Sequence, residues 1–124
     1  MIKVYGVHGS PFVRKVFIAL DIKGAPYEIV RQMPFSGDEE YKKINPLAKV
    51  PSLTDGDLTI ADSKVICRYI ENAYPEPALY PTHAADLARA DWYEEFYHGI
   101  KKESHINMTF FFFLLRRIQV LKLG

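Results

Sequence analysis

A strand, a helix and a second strand follow one another within residues 1–31, and that order constrains the fold of this chain more than anything else in it. Ile2, Val4 and the residues to Val7 form a short β-branched run that ends at Gly6-Val7-His8-Gly9. Pro11 to Lys23 has helical spacing, with Phe12, Val13, Val16, Phe17 and Leu20 recurring on one face. Pro11 suits a first helical turn, where its missing N–H costs nothing, and Gly24 is placed to end the helix. Tyr27 to Arg31 then alternates as a second strand. Two strands joined through one helix are expected to pair in parallel through a right-handed crossover.

The rest of the chain extends this unit. Met33 to Gly37 reads as a loop, and Asp38 to Ile44 as a short helix with acidic residues in its first turn, broken by Asn45-Pro46. Val50 to Thr54 and Leu58 to Ile60 flank Asp55-Gly56, the strongest hairpin signal present. From Ser63, the residues Val65, Ile66, Tyr69, Ile70 and Ala73 mark one face of a further helix. The order βαβ, helix, ββα is a thioredoxin-like α/β layout, with helices on both faces of a mixed four-stranded sheet. This expected domain spans residues 1–74. The prolines from Pro75 to Pro81 make 75–81 a linker. Residues 82–124 read as a partial all-α segment, with a helix from His83 to Tyr97 carrying Ala85, Ala88, Trp92 and Phe96 on one stripe. Beyond Gly99 the text changes: Lys101 to Asn107 is polar, Phe110 to Leu115 is an apolar block, and Arg116 to Leu123 has the pattern of a short basic helix.

Composition narrows the functional classes. A net charge of +1 gives no electrostatic argument for nucleic acid or an acidic membrane. The single cysteine, Cys67, excludes an intrachain disulfide and any CxxC metal or redox motif, and its position beside Ile66 suits a small packed residue. His8 is expected at the surface. His83, His98 and His105 lack ligand spacing, so no metal is expected. The longest apolar run falls far short of the roughly 20 residues needed to cross a bilayer. No apolar leader follows Met1, and the expectation is a cytoplasmic protein.

Three separated segments carry chemistry. Ser10, where the first strand hands over to a helix, offers a hydroxyl and nearby helix N–H groups to a bound thiolate. A free thiol titrates near 8.5, so lowering it by roughly two units asks for about 3 kcal/mol. Read alone, however, Ser10 is better explained as a helix N-cap. Val50-Pro51 would expose the Val50 N–H and C=O as an edge for an extended peptide if its bond were cis, yet on the dipeptide alone a trans proline opening a strand is the better reading. Lys49 beside it could meet a carboxylate or simply be solvated. Ser63 as an N-cap would leave helix N–H groups for a carboxylate, with Asp62 accepting from an ammonium group, and capping alone explains the same pair.

In their order along the chain, these segments resemble the N-terminal domain of the glutathione transferases. The resemblance rests on Gly9-Ser10-Pro11-Phe12-Val13-Arg14-Lys15-Val16, on Asn45-Pro46-Leu47-Ala48-Lys49-Val50-Pro51-Ser52-Leu53 and on Ile60-Ala61-Asp62-Ser63, over about two thirds of the chain. It continues faintly in Arg89-Ala90-Asp91-Trp92-Tyr93-Glu94-Glu95, which is similar to the first helix of that family's second domain. The resemblance implies Ser10 as the residue that activates the glutathione thiol. It implies Val50, ahead of a cis Pro51, as the backbone partner of the cysteinyl unit, Lys49 as a binder of the glycyl carboxylate, and Asp62 with Ser63 as holders of the γ-glutamyl end. Glutathione is then a co-substrate, a small soft electrophile the second substrate, and a homodimer the implied assembly. The sequence departs from the family in having Asp62 where glutamate is more usual. The loop Phe35-Ser36-Gly37-Asp38 also lacks the basic or aromatic residue that often helps there. Gly99 to Gly124 matches nothing in the family's helical domain, which leads to the expectation of a truncated or frame-altered product. The alternative function is a non-catalytic glutathione-binding or protein-interaction module.

Overall fold

The computed structural model describes residues 1–99. The expectations for Lys101–Asn107, for Phe110–Leu115 and for Arg116–Leu123 lie outside the described residues. The chain divides into two units, Met1–Pro75 and Glu76–Gly124.

In the first unit, β1 (Ile2–Gly6), α1 (Pro11–Lys23) and β2 (Tyr27–Arg31) form the expected strand–helix–strand unit, and β1 pairs with β2 in parallel. After them come α2 (Glu39–Ile44), β3 (Ser52–Asp55), β4 (Leu58–Ala61) and α3 (Ser63–Ala73). The sheet has four strands in the order β2-β1-β3-β4, with β3 antiparallel to both of its neighbours. It is the mixed sheet of a thioredoxin-like fold.

Period-two alternation divides the faces. Ile2 and Val4 of β1 and Leu53 of β3 are buried with Val13, Val16, Phe17 and Leu20 of α1 and Ile66, Cys67 and Ile70 of α3. Tyr5 and Ser52 pair across the strands and so share the opposite face, where the Tyr41 ring of α2 lies 6.0 Å from that of Tyr5. Gly24 ends α1 in the left-handed region, at φ 66°, as its position implied. The β3–β4 hairpin turns through Gly56-Asp57, with Gly56 at φ 57°.

Two details differ from the sequence expectation. β3 starts at Ser52 rather than Val50, because Pro51 has no N–H to give the ladder. On α3, Val65 lies on the solvent side, 49% exposed, and Cys67 completes the buried face with Ser63, Ile66 and Ile70.

In the second unit, α4 (Ala84–Gly99) departs from the expected stripe at Ala85, Ala88 and Trp92, while the fourth stripe residue, Phe96, lies outside the described side chains. Ala85, Ala88 and Trp92 are exposed, and among the described side chains of α4 the buried ones are Asp86, Ala90 and Glu94. The acids are buried because they have partners. The Tyr80 hydroxyl lies 3.3 Å from both carboxylate oxygens of Glu94. Arg89 Nη1 donates to Asp86 at 3.3 Å, and His83 Nδ1 lies 3.4 Å from the same carboxylate. Hydrophobic periodicity does not detect a buried face built from paired polar groups. Among the described residues, no helix is long and apolar enough to cross a membrane.

Candidate functional site

The strand register brings the three chemistry-bearing segments to one end of the sheet. Tyr5 pairs with Ser52, and Ser52 with Ala61, so one row crosses β1, β3 and β4. One step past that row lie the end of β1, which leads into Ser10, the start of β3, which follows Pro51, and Asp62. Neighbouring strands are about 4.8 Å apart, so the row spans about 10 Å. Helices α1 and α3 both begin at this end and point their N–H groups and positive dipole ends there. Arg14 and Lys64 stand in their first turns and Lys49 precedes β3, which adds positive charge.

Ser10 is the N-cap of α1. Its Oγ accepts from the Val13 N–H at 3.3 Å, and its own N–H donates to the Val7 carbonyl at 3.1 Å. That bond uses an acceptor lone pair and leaves the hydroxyl proton to donate elsewhere, so capping and thiol activation are compatible. The approach of α1 to β1 depends on Gly6. A Cβ there would lie 2.5 Å from Val13 Cγ2, and Val13 is fully buried. His8 is exposed, as expected, with its ring 4.9 Å from that of Phe17.

The Val50-Pro51 peptide bond is cis. Val50 lies in the bend ahead of β3, and Lys49 is exposed. The carbonyl of Lys49 accepts from the Tyr41 hydroxyl at 2.5 Å and from Asn45 Nδ2 at 3.0 Å. Tyr41 also meets Ser52 Oγ at 2.8 Å. Because the single Tyr41 proton goes to Lys49, the Ser52 hydroxyl is the donor in that pair. Burial raises the Tyr41 pKa above its ordinary 10, and the bonds from Ser52 and Asn45 oppose the rise only in part. Tyr41 was not singled out from sequence, and Asn45 and Ser52 entered only as members of the stretch that carries the resemblance, with no role at the site. A lone tyrosine in a six-residue helix carries no motif, and its partners are 4 to 11 residues away.

At the third segment, the capping assignment changes. Asp62, not Ser63, is the N-cap of α3, with its Oδ2 accepting from the Val65 N–H at 3.3 Å. Ser63 is the first helical residue and is buried. Both residue types cap well, and the backbone decides between them: Asp62, at φ 77° and ψ 123°, sets its carboxylate over the first turn. The second carboxylate oxygen remains to offer to a cation.

A sheet end with two helix N-termini, a cis proline and a serine cap, on a mixed four-stranded sheet, defines a thioredoxin-like domain. The glutathione S-transferase N-terminal domain model matches residues 4–78. The chain belongs to the glutathione S-transferase family. It is 42% identical over 84 residues to glutathione S-transferase Z2 of Arabidopsis thaliana, covering 65% of this chain and 38% of that one. Among solved structures, glutathione transferase E6 of Drosophila melanogaster superposes with a TM-score of 0.76 at 31% identity, over 86% of this chain and 50% of that one. A glutathione transferase homologue from Drosophila mojavensis, solved with bound glutathione, gives a TM-score of 0.74 at 35% identity, over 80% of this chain and 47% of that one. The chain therefore spans about two fifths to one half of the length of these relatives.

Proposed function

We propose that this chain binds glutathione along the Tyr5–Ser52–Ala61 row and activates its thiol for addition to a soft electrophile. The observation that carries the reading is the convergence of Ser10, Pro51 and Asp62 one step beyond that row. Three extended residues reach about 10 Å, which equals the span from β1 to β4. In this reading the Ser10 hydroxyl donates to the sulfur and Val50 pairs by its backbone with the cysteinyl unit. The ammonium ion of Lys49 meets the glycyl carboxylate. Asp62 accepts from the γ-glutamyl ammonium, while Ser63 and the first N–H groups of α3 hold its carboxylate. The bound glutathione of a 35% identical neighbour supports the choice of ligand. The same reading carries with it a homodimeric, cytoplasmic enzyme of detoxification.

The chemistry is thiolate generation followed by carbon–sulfur bond formation. The thiol proton leaves to solvent. The sulfur lone pair forms the C–S bond as the electrophile's π bond breaks and its electron pair moves to the adjacent atom, which takes a proton from solvent. The Ser10 hydroxyl and α1 dipole stabilise the charge on sulfur before attack. Lowering the thiol from about 8.5 to about 6.5 would leave most of it ionised at neutral pH. Retention of the full chain on immobilised glutathione, lost on Ser63→Ala, is the first expected outcome. A folded sample that passes straight through would sink the reading. Turnover is tested separately: the conjugation rate of the native chain should fall away as pH drops below about 6.5, and Ser10→Ala should move that midpoint toward about 8.5 while binding is largely kept. Retention without any rate above buffer would leave the binding module as the function.

A further inference from the structure

The geometry points to Tyr41 and Asn45 as the residues that aim the Val50 N–H at the ligand, by holding the Lys49 carbonyl from behind. This inference rests on the glutathione reading above. The Lys49–Val50 peptide is trans, so its C=O and N–H are fixed in one plane and point in opposite directions. The C=O is held on the α2 side by the Tyr41 hydroxyl at 2.5 Å and Asn45 Nδ2 at 3.0 Å. The Val50 N–H is thereby turned away from α2, toward the open edge ahead of β3.

The two donors are themselves fixed. Tyr41 is 3% exposed and Asn45 6% exposed, so neither side chain has room for another rotamer. The Asn45 N–H donates to the Tyr41 carbonyl at 2.9 Å and closes α2. Its Oδ1 accepts from the Leu47 N–H at 3.0 Å, and its C=O from the Ala48 N–H at 2.9 Å, which folds residues 46–48 back on themselves. Burial raises the Tyr41 hydroxyl above its ordinary value, so it is a donor at neutral pH. A carbonyl that accepts two hydrogen bonds also polarises its peptide unit, which makes the opposite N–H a stronger donor. Tyr41 and Asn45 are thus positioning residues, while Ser52 only satisfies the Tyr41 oxygen.

The test uses the full chain and glutathione itself, in calorimetric titration. Tyr41→Phe keeps the ring and drops one donor. Glutathione affinity should fall about 3- to 10-fold, and the Val50 amide proton signal of the ligand-free protein should move upfield. Tyr41→Phe also strands the buried Ser52 hydroxyl and should lower the melting temperature. The double variant Tyr41→Phe/Ser52→Ala removes that stranded group, so it should regain melting temperature without regaining affinity. With turnover, the loss should fall on KM for glutathione, with kcat kept. Unchanged affinity in Tyr41→Phe, or affinity recovered along with stability in the double variant, would overturn the inference and leave the glutathione reading intact. Failure of the folded native chain to bind glutathione would overturn both.

Discussion

Asp62 holds a backbone conformation, φ 77° and ψ 123°, that costs an L-residue about 1–3 kcal/mol. Two things offset part of that cost: the cap on Val65 N–H and the position of the carboxylate beside the proposed ligand. Glycine removes the strain and, as a cap, loses only a few tenths of a kcal/mol, whereas alanine keeps the strain and loses about 1 kcal/mol. Asp62→Gly should therefore be more stable than the native chain by about 1 kcal/mol in urea unfolding, and Asp62→Ala less stable by about the same. Both should bind glutathione more weakly. Equal stability of the two variants would show that no strain resides at this residue. Gly6 is the converse case, a residue whose lack of a side chain lets α1 approach β1 behind the candidate site. Gly6→Ala drives a methyl into Val13, whose N–H is the donor to Ser10. The expected loss is about 1–3 kcal/mol together with a lower conjugation rate, because the Ser10 cap moves with Val13.

Helices α1 and α3 pack side by side, and their C-terminal ends are joined by a buried cation. The Lys23 ammonium group, with no exposed side-chain surface, pairs with Glu71 and donates to the Pro75 carbonyl at 3.3 Å. The amphipathic reading of α1 placed its end correctly through Gly24, but it could not reveal that the last residue, a lysine, is interior. A lysine is expected to snorkel unless something 48 residues away receives it. The same limit explains α4, where Asp86 and Glu94 are buried against Arg89 and Tyr80 while Ala85, Ala88 and Trp92 are exposed. Where burial follows apolar side chains, as in β1 and α1, the period in the sequence locates the element and its face. Where burial follows pairing, the partner's position is needed first. Glu71→Gln should cost about 3–5 kcal/mol, since it strands a buried charge. Lys23→Met/Glu71→Leu should recover most of that loss in thermal unfolding. A single-variant cost under 1 kcal/mol would show the pair to be solvated.

At the scale of the whole first unit, segment order was legible and segment support was not. Ser10, Val50-Pro51 and Asp62-Ser63 stand at strand ends that a βαβ–ββα order brings together, so their convergence at one end of the sheet followed from topology. The clamp beneath it, Tyr41 with Asn45 and Ser52, depends on which way α2 turns one ring, and no spacing rule encodes that. Tyrosines play this hidden part elsewhere in the unit too. Tyr27 stacks on Phe17 with ring centroids 5.8 Å apart and donates to Asp21 at 2.8 Å. Tyr69 of α3 donates to Asp55 at the hairpin end at 2.5 Å. Burial, then the bond to Asp21, pushes Tyr27 up to about 12, and the bond to Asp55, then burial, raises Tyr69 above 10. With Tyr41, these three hydroxyls join α1, α2 and α3 to their neighbours, and each holds its proton more tightly when folded than when unfolded. The native state then binds more protons than the unfolded chain above pH 10, and stability must fall as pH rises there. Their contribution is fully present below pH 10, the unfolded value, and for Tyr27 it is lost as pH passes through about 12. Urea midpoints should hold steady between about pH 8 and 9.5 and decline beyond about pH 10, and Tyr27→Phe should flatten the upper part of that decline. A midpoint that rises with pH above 10, or a decline that Tyr27→Phe leaves untouched, would show that these hydroxyls do not set the alkaline limit of the fold.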